Sequence, residues 1–134
     1  MSIASTGLPA QDFGDLVQKG LCGGHSQVQS KTRGVFGGGD TPGAKVNLIQ
    51  YVTISTLGNA ADFGNLTSSR YLVAGAASRT RAVFMGGHRN PNATQQDTVD
   101  YVQIMSTGNA VDYGNLGSSI SSAAGCSNGH GGLG

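Results

Sequence analysis

The sequence predicts an all-β fold built from a unit of about fifty residues that recurs three times along the chain. Three observations predict it. Asp12-Phe13-Gly14-Asp15-Leu16 returns as Asp62-Phe63-Gly64-Asn65-Leu66 and again as Asp112-Tyr113-Gly114-Asn115-Leu116, each time 50 residues on. Thr32-Arg33-Gly34-Val35-Phe36-Gly37-Gly38 returns 48 residues later as Thr80-Arg81-Ala82-Val83-Phe84-Met85-Gly86-Gly87, and a weaker copy can be laid over Ser127 to Gly134. Between these motifs, short β-branched and aromatic runs alternate with Gly, Asn, Pro and Ser, and no stretch keeps a 3.6-residue period over helical length. A self-similar period of this length identifies a repeat architecture ahead of any local propensity.

Within one unit the elements follow in order. Asn47 to Ser55 is rich in β-branched and aromatic residues and reads as a strand, with Thr98 to Met105 as its counterpart. In Tyr101-Val102-Gln103-Ile104 the faces alternate, Val102 and Ile104 on one side and Tyr101 and Gln103 on the other. Gly58-Asn59 and Gly108-Asn109 then mark turns, since both residue types tolerate positive φ. A short strand around Asp62 to Leu66 comes next, then a small-residue strand Tyr71 to Ala77, then Arg79 to Met85 ending at Gly86-Gly87. Four strands per unit match one propeller blade.

Composition narrows the function classes. The 134 residues suit a single domain, 1–134. Charged residues make up 11% against the roughly 25% of ordinary soluble proteins, and the formal net charge is +1. Eight scattered basic residues argue against nucleic acid, whose phosphates require a clustered positive surface. The start Met1-Ser2-Ile3-Ala4 has neither the basic region nor the apolar core of a signal peptide, and no apolar run is long enough for a spanning helix. Cys22 and Cys126 do not occupy matching repeat positions, so two buried thiols are expected in preference to a disulfide.

The repeat resembles the kelch type, an apolar strand ending in Gly-Gly, a Tyr-bearing strand, then an aromatic and an Arg. Val83-Phe84-Met85-Gly86-Gly87, Tyr101 and Tyr113 take those places in one unit, and Val35-Phe36-Gly37-Gly38, Tyr51, Phe63 and Arg70 in the preceding one. Phe or Tyr inside Asp-Phe-Gly stands where kelch repeats usually carry Trp. The wording of the repeat is similar to divergent kelch-like repeats in structural and tail-fibre proteins of marine bacteriophages, notably cyanophages. That resemblance implies four-stranded propeller blades, three to a chain, in a virion protein made in the host cytoplasm. It further implies a non-enzymatic structural or attachment role, with other virion proteins and host-surface glycans as partners.

The phase of the repeat bears on closure. The chain opens on the tail of a Tyr-type strand, Ile3 to Thr6, and ends partway into the strand that precedes Gly-Gly. Three blades cannot close a propeller, where about four to eight are usual. Two chains joined head to tail would make six, so a homodimeric ring is expected, which would also cover open sheet edges. A prism of three sheets closed within one chain is the rival with the same strand count.

Candidate site residues divide into loop and scaffold. His88, Arg89, Asn90, Asn92, Gln95 and Gln96 lie in the longest and most polar loop, where binding function concentrates and where amide and guanidinium groups could hydrogen-bond sugar hydroxyls. The scaffold set is Asp12, Phe13, Gly14, Asp62, Phe63, Gly64, Asp112, Tyr113 and Gly114, with the pairs Gly37-Gly38 and Gly86-Gly87. In it the aromatic is expected to pack between blades, the Gly of Asp-Phe-Gly to allow the turn, Asp or Asn to hold nearby amides, and the Gly-Gly pairs to admit close backbone approach at the end of a strand. His25, His88 and His130 have no ligand-spaced neighbours, so no metal and no cofactor is expected. No Gly-x-Ser-x-Gly elbow and no kinase context around Asp-Phe-Gly appears, so no catalytic residue is assigned. A soluble lectin-like propeller with one shallow site per repeat is the alternative.

Overall fold

The structure is a computed structural model that describes residues 9–18, 26–89 and 94–125. It is all-β, with no helix among the described residues, 57% strand, and a sheet curled as a half-barrel. The first unit is an antiparallel meander of β1 (Ser26–Gln29), β2 (Arg33–Thr41), β3 (Ala44–Thr53) and β4 (Ala61–Asn65), paired in sequence order. The turn Pro42-Gly43 closes the central hairpin, with Thr41 opposite Ala44 and Gly43 at φ +98°. A register shift between Gly37 and Gly39 puts a bulge into β2.

The second unit repeats this plan with one break. It runs through β5 (Arg70–Tyr71), β6 (Ala74–Ala77), β7 (Arg81–Met85), β8 (His88–Arg89), β9 (Thr94–Gln103) and β10 (Val111–Ile120). β7 and β8 are two halves of the counterpart of β2, interrupted at Gly86 and Gly87, and both pair with the long β9. β6 lies outside β7, β5 beside β8, and β10 along the far edge of β9.

Three sequence expectations change. Gly-Gly ends a strand in only one unit: β7 stops at Met85 before Gly86-Gly87, with β8 resuming after the pair, whereas β2 runs through Gly37-Gly38. Tyr71 to Ala77 is two elements, because Leu72 turns the chain at φ +56° between β5 and β6. The Asp-Phe-Gly segment is a strand as β4 and within β10 but not at Asp12 to Leu16, where no described strand lies alongside. The Cys22, Cys126, His25 and His130 expectations fall outside the described residues.

The core lies between the two units. Val35, Ile49, Phe63, Ala82, Phe84, Val102 and Ile104 are buried in one cluster. Its tightest contact depends on a missing side chain: a Cβ on Gly37 would stand 2.6 Å from the Phe84 ring. Glycine there is the socket, and burying the ring contributes about 1.5–3 kcal/mol.

Two further joints lock unit to unit through backbone atoms. At one, the Gly-Asn turn of a unit lies against the Asp-Phe-Gly segment of the unit before it. Gly58 N donates to Phe13 O at 2.8 Å, Ala60 N to Asp15 O at 2.8 Å, and Asp15 N to Asn59 Oδ1 at 2.9 Å. The next pair of units repeats the set: Gly108 N to Phe63 O at 2.7 Å, Ala110 N to Asn65 O at 2.8 Å, and Asn65 N to Asn109 Oδ1 at 3.1 Å. Gly14 and Gly64 make this approach feasible, since a Cβ on either would collide with the carbonyl of Gly58 or Gly108. Asp12 Oδ1 accepts from Gly14 N at 3.1 Å and so shapes the segment that receives the turn. At the other joint, a Cβ on Gly38 would lie 2.5 Å from Arg70 O, and one on Gly86 2.6 Å from Ile120 O. The Gly-Gly pair is therefore where the following unit's leading segment crosses.

Candidate functional site

The meander sends β2 and β3 to opposite ends of each unit, and that separates the polar groups into two sets. One end carries the hairpin tip Asp40 to Lys45 and the paired residues His88, Arg89, Thr94 and Gln95, the other the Gly-Asn turns.

At the turn end, two hollows stand at the same place in successive units. The first, of about 240 Å3, is lined by Tyr51, Thr53, Thr56, Leu57, Gly58, Asn59 and Ala61. The second, of about 220 Å3, is lined by Tyr101, Val102, Gln103, Ser106, Thr107, Gly108, Asn109 and Val111. Each is a shallow dish between the last residues of the Tyr strand, the turn, and the first residue of the next strand. A third hollow of about 160 Å3, lined by Ser30, Lys31, Thr32, Arg79 and Met105, sits at the same end.

The tyrosine of each dish is held from two sides. The Arg33 guanidinium lies 4.4 Å from the Tyr51 ring centroid, and Phe63 meets that ring edge-on at 5.8 Å. Arg81 lies 5.4 Å from the Tyr101 centroid, and Tyr113 meets Tyr101 edge-on at 5.8 Å. Arg–aromatic stacking and T-shaped contacts of this kind contribute about 0.5–1.5 kcal/mol each and fix ring orientation. The result is a positioned aromatic face beside Thr, Ser, Gln and Asn side chains, which can stack on an apolar ring face and exchange hydrogen bonds with hydroxyls.

The loop singled out from sequence lies at the opposite end. His88 and Arg89 form β8, and Gln95 and Gln96 open β9 across from them, with His88 opposite Gln95. Asn90 and Asn92 fall outside the described residues. The His88 ring lies 5.4 Å from Tyr71, and Lys45 Nζ lies 4.1 Å from the same Tyr71 ring. Lys45 also pairs with Asp40 at 2.6 Å. Gln95 donates to Ser121 Oγ at 3.2 Å, while Gln96 donates to the carbonyls of Thr94 and Gln95. These amides thus already have partners within the chain.

The scaffold residues occupy the joints described above. Phe63 is 3% exposed, whereas Tyr113, its counterpart, is 64% exposed. Asp112 Oδ1 accepts from Gly114 N at 2.9 Å, as Asp12 does for Gly14.

Sequence reading missed a buried ion pair. Arg70 and Asp100 are both fully buried, and Arg70 Nη2 lies 2.7 Å from Asp100 Oδ2. Arg70 Nη1 donates to Gly86 O at 2.7 Å and to Thr98 O at 2.9 Å. Asp100 accepts from Thr67 N at 3.0 Å and from Thr67 Oγ1 at 2.7 Å. Arg70 Nε is buried without a partner among the described residues. Burial presses the guanidinium below its ordinary pKa, and the Asp100 carboxylate opposes that shift. An arginine so lowered still remains protonated. The one available signal was the repeat itself: Gln50, in Asp100's position, accepts from Val17 N at 2.8 Å. Both residues therefore clasp the segment leading into their own unit.

The described residues contain no cluster of three His, Cys, Asp or Glu side chains suited to a metal ion. No helix among them is long and apolar enough to cross a membrane. No protein-family model matches the chain, and no curated protein matches it.

Proposed function

We propose that this chain is a non-enzymatic propeller-type module of a bacteriophage particle, used for assembly and surface attachment. The observation that carries the reading is the repeated backbone joint, in which each Gly-Asn turn docks on the preceding unit's Asp-Phe-Gly segment with the same three hydrogen bonds. Such a joint can be extended unit by unit around a ring, and two chains of three blades would close one of six. β6 of the second unit packs against β1 of the first, and Gly125 in turn lies against Gly75 of β6, a progression that suits a series of blades. A particle is the setting that the resemblance of the repeat to kelch-like repeats of phage structural proteins implies. Copurification with intact virions, followed by antibody labelling of the particle, tests this; a protein found only in the soluble fraction of lysed host cells would refute it.

A second reading, a lectin-like propeller, is favoured by the two equivalent dishes at Tyr51 and Tyr101. Their linings supply an aromatic face, hydroxyls and carboxamides, the groups that hold sugars, and no carboxylate, imidazole or thiol. A glycan array probed with the wild-type protein and with Tyr51→Ala plus Tyr101→Ala tests it. Sugar binding lost in the double variant supports the lectin, and an array without signal removes it.

A further inference from the structure

The joint between units occurs twice in the described residues, and its receiving half occurs a third time. Tyr113-Gly114-Asn115 lies one period beyond Phe63-Gly64-Asn65. Gly114 has φ +137°, beside +141° at Gly14 and +147° at Gly64. The Asp112 side chain fixes it as Asp12 fixes Gly14. Tyr113 is backed by Tyr101 as Phe63 is backed by Tyr51. The difference lies in front. Cβ atoms on Gly14 and Gly64 would strike the next turn, whereas among the described residues nothing comes within 4 Å of one on Gly114.

A second part of the same surface is also prepared. Arg33, stacked on Tyr51, donates through Nη1 to the carbonyl of Ile104 in the following unit at 2.9 Å. Arg81, stacked on Tyr101, is its counterpart and stands exposed. Val111, 54% exposed, opens the strand that carries Tyr113 and Gly114.

We propose that the edge formed by Arg81, Tyr113, Gly114 and Asn115 is the docking surface for the Pro9-Ala10 segment of a second copy of this chain. This rests on the ring reading given above and names its seam. The occupant follows from continuity: the turns at 58–60 and 108–110 are already docked within the chain, and Ala10 lies fifty residues before Ala60. Pro9 and Ala10 are exposed, and so is Tyr113, so the chain has not closed on itself through this contact. Pro9 stands where Asn59 and Asn109 stand in the later turns. Proline has no side-chain carbonyl, so it cannot accept the Asn115 N–H as Asn109 accepts that of Asn65. Of the three bonds, the seam keeps the one from Ala10 N, whose counterpart acceptor is Asn115 O, and loses the carboxamide one, so it is weaker than the joints inside the chain.

Sedimentation equilibrium on the full chain tests this with three variants. Tyr113→Glu replaces an exposed ring and leaves the fold intact by circular dichroism; it weakens association about tenfold or more, the usual cost of losing an aromatic anchor. Arg81→Ala weakens it in the same direction. Pro9→Asn restores the missing acceptor and tightens association about threefold to tenfold per seam. A wild-type oligomer that Tyr113→Glu and Arg81→Ala leave unchanged overturns the seam while the ring reading stands. A wild-type monomer that Pro9→Asn fails to associate overturns both.

Discussion

Removing the Asp100 carboxylate is the most informative single change to the fold. Asp100→Ala deletes the acceptor of three hydrogen bonds, from Arg70 Nη2, Thr67 N and Thr67 Oγ1. Arg70 stays fully buried, holding only the carbonyls of Gly86 and Thr98. A buried charge stripped of its partner costs about 3–5 kcal/mol, against a total stability of about 5–15 kcal/mol for a domain of this kind. The repeat supplies the repair. Gln50 occupies Asp100's position in the first unit and Ile120 occupies Arg70's position fifty residues on. Arg70→Ile with Asp100→Gln removes both charges and restores an acceptor for Thr67 N, as Gln50 serves Val17 N. That double variant is expected within about 1 kcal/mol of wild type, because replacing a buried pair with a neutral, well-packed one is often costless. The chain has no Trp, so urea unfolding is followed by far-ultraviolet circular dichroism or tyrosine fluorescence. Asp100→Ala costing under about 1 kcal/mol, or a double variant no more stable than the single one, would refute this account of the pair.

Other outcomes follow from the same geometry and are read by the same unfolding measurement. Gly64→Ala is expected to lose more than about 3 kcal/mol, since its Cβ meets the Gly108 carbonyl. Gly114→Ala, with the same backbone but open space within the chain, loses only the conformational cost of about 1–2 kcal/mol when measured on the dissociated chain; equal losses at the two sites under that condition would contradict the joint. Ser122→Gly relieves an exposed φ of +55° and stabilises by about 0.5–1 kcal/mol, seen as a higher urea midpoint. Gly37→Ala destabilises by about 1–3 kcal/mol through the Phe84 ring, and Phe84→Leu in the same chain recovers part of that loss.

The legible part of the structure was whatever the repeat wrote in local chemistry. Asp62 to Leu66, the Tyr strands and the Gly-Asn turns were visible because alternation and turn residues act within a few positions. The break at Leu72 was hidden because a leucine at positive φ contradicts its own propensity, and crossing over Gly86-Gly87 is what overrides it. Gly-Gly read as a strand end because glycine is a poor strand former. Close backbone approach at the pair was legible too, but which backbone approaches, the carbonyls of Arg70 and Ile120, belongs to a neighbouring unit and leaves no local trace. The Arg70–Asp100 pair was hidden for a related reason: it breaks the repeat, with Gln50 in one place and Ile120 in the other. The dishes at Tyr51 and Tyr101 went unread because their lining residues already had an explanation as strand ends and turns.

The joints between units are written largely in main-chain atoms, with a single carboxamide as the side-chain term. A contact of that kind places few demands on which residues stand to either side, so substitutions can accumulate on the outer faces without loosening the series. It also makes a duplicated unit compatible with its neighbours on arrival, since the glycine, the turn and the carbonyls it needs come with the copy. Divergence is then free to fall on the hairpin tips and dish linings, and Asp40-Thr41-Pro42-Gly43 against His88-Arg89 shows how far it has already gone. The scaffold's economy of side chains is what leaves its surface open to change.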